Sequence, residues 1–270
     1  MRAPALSASS SREYLQCPLK FRYSVVDRIP QPPTAATIRG ILVHSVLEHL
    51  YGLAAADRTW EAALDLLPTR WEHLEQKEPE YSEVIESVPQ LLAEAQKLLQ
   101  TYFTLENPHN LEPEARESFV EARLSSGLML RGIVDRIDRA PDGRRRVVDY
   151  KTGKSPSPRF LDESLFQMRF YALLLREVGR APSRMQLLYL KDGQTLTLDP
   201  NPEDVDRFEG ELLDLWHRIA GDLGSGQFSP RKTPLCGWCP YQAQCPLFGG
   251  QIPPAAEEDL ARVSQIGPSN

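Results

Sequence analysis

Residues 132–151 read Gly-Ile-Val-Asp-Arg-Ile-Asp-Arg-Ala-Pro-Asp-Gly-Arg-Arg-Arg-Val-Val-Asp-Tyr-Lys. Apolar and polar residues alternate on either side of Pro141-Asp142-Gly143. That tripeptide is turn chemistry, because Pro presets φ and Gly accepts a positive φ. The stretch predicts two antiparallel strands, roughly 128–138 and 145–150, joined as a hairpin. With an odd number of residues in the connection, Asp135 lies opposite Asp149. Facing residues have Cβ atoms about 4.5–5.5 Å apart. Two carboxylates so close repel unless they share a proton or hold a cation. Lys151, two residues after Asp149, projects from the same face. Two acids and a Lys at strand ends suit a divalent-metal site with a positive group beside it. Taken alone, an Asp-x-Lys is more often a surface ion pair on a solvated strand.

Working outward, the 270 residues are ample for a buried core, as one large domain or two small ones. Hydrophobic content of 41% and charged content of 25% are those of a soluble globular protein. A net charge of −6 weighs against a protein that coats nucleic acid, although Arg144, Arg145, Arg146, Lys154 and Arg159 offer a local basic cluster. No uncharged apolar run reaches transmembrane length, and the N-terminus lacks the apolar core of a signal peptide. A cytoplasmic protein is expected. Its four cysteines then point to a metal or reactive thiols rather than disulfides.

Residues 7–23 predict a helix capped by Ser7 or Ser9, with Cys17-Pro18 near its end, before a stiff Pro-rich link at 30–33. Residues 40–54 predict a second helix with Val43, Val46, Leu47 and Leu50 as its apolar stripe. His44 and Glu48 share a face beside that stripe. By itself His44 reads as a half-buried histidine satisfied by one hydrogen bond, and His49 as structural. Residues 57–104 predict helix throughout, with no chemistry of their own. Residues 117–124 alternate as a strand, on which Glu117 or Glu121 is placed to approach a metal, although an exposed strand carboxylate is the commoner identity. Thr152-Gly153-Lys154-Ser155 imitates the end of a phosphate-binding loop, but Val148 stands where the loop needs Gly, which excludes an ATPase. A helix over 160–178 places Gln167 and Tyr171 one turn apart. Strands at 185–190 and 196–198, an amphipathic helix at 203–223 and a disordered tail at 251–270 complete the reading.

The cysteines fall one plus three: Cys17, then Cys236, Cys239 and Cys245. Four thiolates suit tetrahedral Zn²⁺ or a 4Fe–4S cluster. A thioredoxin-like pair is excluded by the lack of a strand before Cys236.

Gly132-x-x-Asp135 followed by Asp149-Tyr150-Lys151-Thr152-Gly153 resembles the core signature of the PD-(D/E)XK nuclease superfamily, most closely its RecB-type branch. The resemblance extends to Gly40-x-x-x-His44 and Gln167-x-x-x-Tyr171, and to the spacing Cys-x-x-Cys-x₅-Cys of the iron–sulfur nucleases of the AddB and CRISPR-exonuclease types. It implies an α/β restriction-endonuclease-like core over residues 1–250: a central mixed sheet flanked by helices, a helical insertion at 57–104 and a C-terminal cysteine region. It implies a Mg²⁺- or Mn²⁺-dependent DNA exonuclease of single-stranded ends, in DNA repair or recombination, with a helicase subunit as a candidate partner. Asp135, Asp149, His44 and the carbonyl of Tyr150 would hold the metal, and Lys151 would activate water. Gln167, Tyr171 and Lys154 would face DNA. Cys17, Cys236, Cys239 and Cys245 would hold a 4Fe–4S cluster, with Zn²⁺ as the alternative. The competing reading is a non-catalytic DNA-binding or assembly module on the same fold.

Overall fold

The computed structural model describes residues 3–268, apart from the side chain of Arg159. Helix α1 (Ala8–Gln16) starts at Ser7, whose hydroxyl accepts from the Ser10 amide in a reciprocal capping box. It stops at Gln16, two residues before Pro18. The expected continuous helix to residue 23 is therefore broken: Cys17 turns extended, α2 (Pro18–Phe21) restarts, and a π-helical turn (Arg22–Val26) follows. Proline has no amide to give the preceding turn and disfavours α geometry at Cys17. Helix α3 (Ala35–Leu50), capped by Thr34, begins earlier than its apolar stripe suggests. The expected helical stretch follows as α4 (Trp60–Lys77), the single turn α5 (Tyr81–Val84) and α6 (Val88–Leu105).

The sheet comes next: β1 (Pro113–Arg123), β2 (Met129–Arg139) and β3 (Arg145–Lys151), then α7 (Leu161–Glu177), β4 (Arg184–Tyr189) and β5 (Gln194–Leu198). Helices α8 (Pro202–Ser225) and α9 (Glu257–Ser264) follow. The strand order is β1-β2-β3-β4-β5. All neighbours run antiparallel except β3 and β4, which are parallel and joined through α7. This is the central mixed sheet flanked by helices that the sequence predicts.

Period two along β3 and β4 sorts side chains into two cores. Val147, Met185 and Leu187 pack on the face covered by α1, α7 and α8. Val148, Tyr150 and Leu188 pack on the face covered by α3, α4 and α6. A strand buried on both faces has a polar end only where chemistry or solvent meets it, and on β3 that end carries Asp149 and Lys151.

Residues 251–268 do not form the expected disordered tail; residues 269 and 270 lie outside the described ones. Val263 and Ile266 are buried, the Ile266 carbonyl accepts from the Met129 amide at 2.7 Å, and Trp216 Nε1 donates to the Pro268 carbonyl. Arg262 Nη2 donates to the carbonyls of Val25 and Val26, which end the π-helical turn. Polar composition hid two apolar residues, Val263 and Ile266, that join the core holding Leu128 and Trp216.

Candidate active site

The β2–β3 ladder pairs Arg139↔Arg145 through Arg136↔Val148. One step further along the same register stand Asp135 and Asp149, where backbone pairing stops. Asp135 Oδ2 there accepts the Tyr150 amide at 2.8 Å, so a carboxylate takes the place of a strand carbonyl. His44 arrives from α3. Its Nε2 lies 2.9 Å from the Tyr150 carbonyl, and its Nδ1 lies 3.4 Å from Asp135 Oδ2.

Glu117 completes the group, although the sequence reading favoured an exposed strand carboxylate over a place near the metal. It lies between the ladder pairs Arg116↔Arg136 and Ser118↔Val134, level with Asp135, and its φ is +41°. A positive φ is costly for a residue with a side chain and persists where surrounding structure holds it, often at sites of function. The kink leaves Glu117 Oε1 3.9 Å from His44 Nδ1. One ligand atom each from His44, Glu117 and Asp135 lies within 4.8 Å of the other two. Imidazole and carboxylate donors at that spacing suit a divalent cation.

Asp149 stands beside this group rather than in it. Its Oδ2 accepts from Gln167 Nε2 at 2.7 Å, and Lys151 Nζ lies 2.6 Å from its Oδ1. That oxygen is buried and has no well-aligned hydrogen bond. Lys151 Nζ also donates to Gln167 Oε1 at 2.9 Å. Gln167 thus bridges the acid and the lysine, with both ends of its amide committed.

Electrostatics record the crowding. Burial, and then Asp135, push Asp149 up to about 6, against the pull of Lys151 and His44. Burial alone pushes His44 down; Asp135, Glu117 and Asp149 outweigh it and hold the imidazolium up to about 10.

The motif glycines find their reason here. A Cβ on Gly132 would lie 2.4 Å from the Tyr171 ring, and one on Gly40 would lie 3.2 Å from Thr152 Oγ1. Each glycine seats a side chain of another motif, which locks α3 and α7 onto the ends of β2 and β3. Tyr171 is therefore packed under the sheet, and burial, then Asp149 and Asp135, raise its phenol.

The expected basic cluster does not assemble. Arg144 pairs with Asp142, Arg145 with Glu114, and Arg146 with Asp138 and Glu106, all at the hairpin end of the strands. Lys154 is exposed past the other end, and the Arg159 side chain lies outside the described residues.

The four cysteines are free and half-buried. The Arg231 amide donates to Cys17 Sγ and the Thr233 amide to Cys236 Sγ, both at 3.3 Å. Burial raises the Cys239 thiol, and neighbouring Cys17 and Cys245 add to it. The first and last parts of the chain therefore meet in one thiol neighbourhood. Among the described residues, however, no three sulfurs lie within 4.8 Å of one another.

The model of the PD-(D/E)XK nuclease superfamily matches residues 5–246, and the chain belongs to that superfamily. Membership implies a metal-dependent nuclease, and the His44–Glu117–Asp135 group is a fitting place for the metal. The chain is similar to the Gene 69 protein of Mycobacterium phage D29, 24% identical over 92% of this chain and 98% of the relative. It is also similar to the Gene 69 protein of Mycobacterium phage L5, 29% identical over 45% of this chain and 41% of that relative. A solved chain described as "Crystal structure of SSO0001" overlays 92% of this chain and 88% of its own length, with a TM-score of 0.43 and 18% identity. No described helix is long and apolar enough to cross a membrane.

Proposed function

We propose that the protein is a Mg²⁺- or Mn²⁺-dependent DNA exonuclease acting on single-stranded ends, within DNA repair or recombination. The observation that carries the reading is one group of ligand atoms, His44, Glu117 and Asp135, set against a second unit in which Gln167 bridges Asp149 and Lys151. His44, Glu117, Asp135 and the Tyr150 carbonyl hold the cation, and Asp149 is the adjoining acid. A cation held there would supply Lewis acidity, lowering the pKa of water and offsetting phosphate charge. Lys151, steered by Gln167, orients the attacking water and offers a positive charge where negative charge develops on phosphorus. Gln167 acts here as a positioning residue and Tyr171 as its support.

The cysteine neighbourhood supports a 4Fe–4S cluster. Tetrahedral zinc, with Zn–S near 2.3 Å, would draw its sulfurs to about 3.8 Å of one another. What favours the iron–sulfur cluster over zinc in this reading is the one-plus-three cysteine spacing of the sequence. The cluster's role is that of a clip joining the two ends of the chain, and no step of hydrolysis needs an electron.

The test is digestion of end-labelled linear and circular single-stranded DNA, and of duplex DNA, with Mg²⁺ or Mn²⁺ after anaerobic purification, alongside iron analysis. Release of mononucleotides from linear single strands, abolished by EDTA and independent of ATP, is expected. Undiminished activity in excess EDTA, or cleavage of circles as fast as of linear strands, overturns the corresponding part.

A further inference from the structure

The stretch read from sequence as helix without chemistry supplies one wall of the cleft that opens over the metal-facing residues. That cleft has a volume of about 620 Å³. His44, Gly40 and Glu48 line it from α3, Arg70, His73 and Lys77 from α4, and Glu117 and Ile133 from the sheet. The spacing 70, 73, 77 puts the α4 residues on one helix face. Arg70 is steadied by Ser45, its Nε donating to Ser45 Oγ at 2.9 Å. His73 and Lys77 are exposed and form no hydrogen bond or ion pair among the described residues. Arg70 and Lys77 thus set two positive charges, with an imidazole between them, over the acidic group.

Opposite this row the sheet offers an apolar surface. Ile133 is 51% exposed and Phe119 42%. The two face each other across the β1–β2 ladder, two residues from Asp135 and Glu117 respectively. Partly exposed large apolar side chains beside a polar site mark a binding surface, here with Ile133 lining the cleft itself. Cations on one wall, apolar side chains on the other and metal ligands between them match the two chemistries of a single nucleic-acid strand, whose phosphates are anionic and whose unpaired bases have apolar faces. A paired base keeps its faces stacked within the duplex. Glu48, also in the cleft, repels phosphate from the α3 side and leaves the α4 row as the phosphate track.

We infer that this cleft seats single-stranded DNA next to the scissile phosphate: Arg70 and Lys77, with His73 between them, follow the backbone, while Phe119 and Ile133 receive an unpaired base. The inference rests on the nuclease reading and adds to it the elements that select single strands.

The test uses the full-length protein and the anisotropy of a labelled oligo(dT) in EDTA, with circular dichroism to confirm folding. Arg70→Ala with Lys77→Ala should weaken binding roughly tenfold or more and flatten the salt dependence by about 1.4 in log–log slope, the value for two lost phosphate contacts on a single strand. Arg207→Ala, the removal of an exposed cation on α8 outside the cleft, should move neither. Phe119→Thr with Ile133→Thr keeps β-branched residues in the strands. It should cost roughly tenfold, the scale of one stacked base, with the salt slope intact. It should also erase the wild-type preference for oligo(dT) over an abasic strand of equal charge. If the wild type neither binds nor cleaves DNA, the nuclease reading falls and takes the inference with it. If the wild type binds and cleaves while the α4 pair keeps its salt slope, or the Thr pair still prefers bases, the cleft assignment alone falls.

Discussion

Two charged clusters sit on the same two strands and have opposite characters. At the hairpin end, Glu106 and Asp138 meet Arg136 and Arg146, two acids against two guanidinium groups. Arg136 is 1% exposed, and it also donates to the hydroxyls of Tyr51 and Tyr150 at 2.7 and 2.5 Å. At the other end, three acids, Glu117, Asp135 and Asp149, stand among the described residues with Lys151 and His44; burial and then Asp135 push Asp149 up to about 6, and the acids hold His44 up to about 10 against burial. Asp135 and Arg136 are neighbours in sequence and belong to different clusters. In the first cluster acids and guanidinium groups are matched two to two; in the second the acids outnumber their cations, a setting fit for a divalent cation. A buried charged residue therefore says little until its partners are counted.

The comparison breaks most visibly at Arg136. Arg136→Met leaves Glu106 and Asp138 buried without their main cation and should cost about 3–5 kcal/mol of stability, read by urea denaturation. Lys151→Met should cost less, because Asp149, already pushed up to about 6, can take up a proton once its cation is gone. Equal losses from the two would erase the distinction.

Lys151→Ala should instead lower turnover by about 10²–10³-fold, the scale for removing one positioned group that meets developing negative charge. Its melting temperature should stay near that of wild type. Full activity in a folded Lys151→Ala protein sinks the assignment.

Cation binding should stabilise one cluster and ignore the other. Free Mn²⁺ at about 100 times its dissociation constant should add about 2.7 kcal/mol. Asp135→Asn should abolish that gain and Asp138→Asn should keep it. The pH dependence follows from the raised groups. Asp149 holds its proton up to about 6 and His44 up to about 10, so protons compete with the metal and affinity should climb as pH rises through that window. Calorimetry at pH 7 in buffers of different ionisation heat should register proton release; binding with no release contradicts the site.

The smallest effect is expected at Gln167, which holds other residues in place. Gln167→Ala should lower metal affinity or activity by about 10–100-fold, as loss of a residue behind the ligands does. Loss of DNA binding with metal affinity untouched would return Gln167 to the channel wall that its motif first suggested.

Much of this was legible in residues 132–151. Alternation around Pro141-Asp142-Gly143 gave the hairpin, and its parity placed Asp135 level with Asp149, one step beyond the observed pair Arg136↔Val148. Periodicity likewise gave α3 and α7, and with them the faces of His44 and Gln167. Those signals are local: they come from the 3.6- and 2-residue repeats and from turn chemistry. Glu117 was not fully legible, because its positive φ breaks the alternation that would have shown which way it points. Nor were Arg70, His73 and Lys77, since a helix repeat tells which residues share a face and not what that face looks upon. The last helix was hidden because two apolar residues, Val263 and Ile266, suffice to join it to the core holding Leu128 and Trp216. The sequence by itself determined the elements, the register of the central hairpin and the chemistry of its acids. Tertiary structure alone decided which distant side chains close around them, because contacts across helix and sheet are set by packing between segments far apart in the chain.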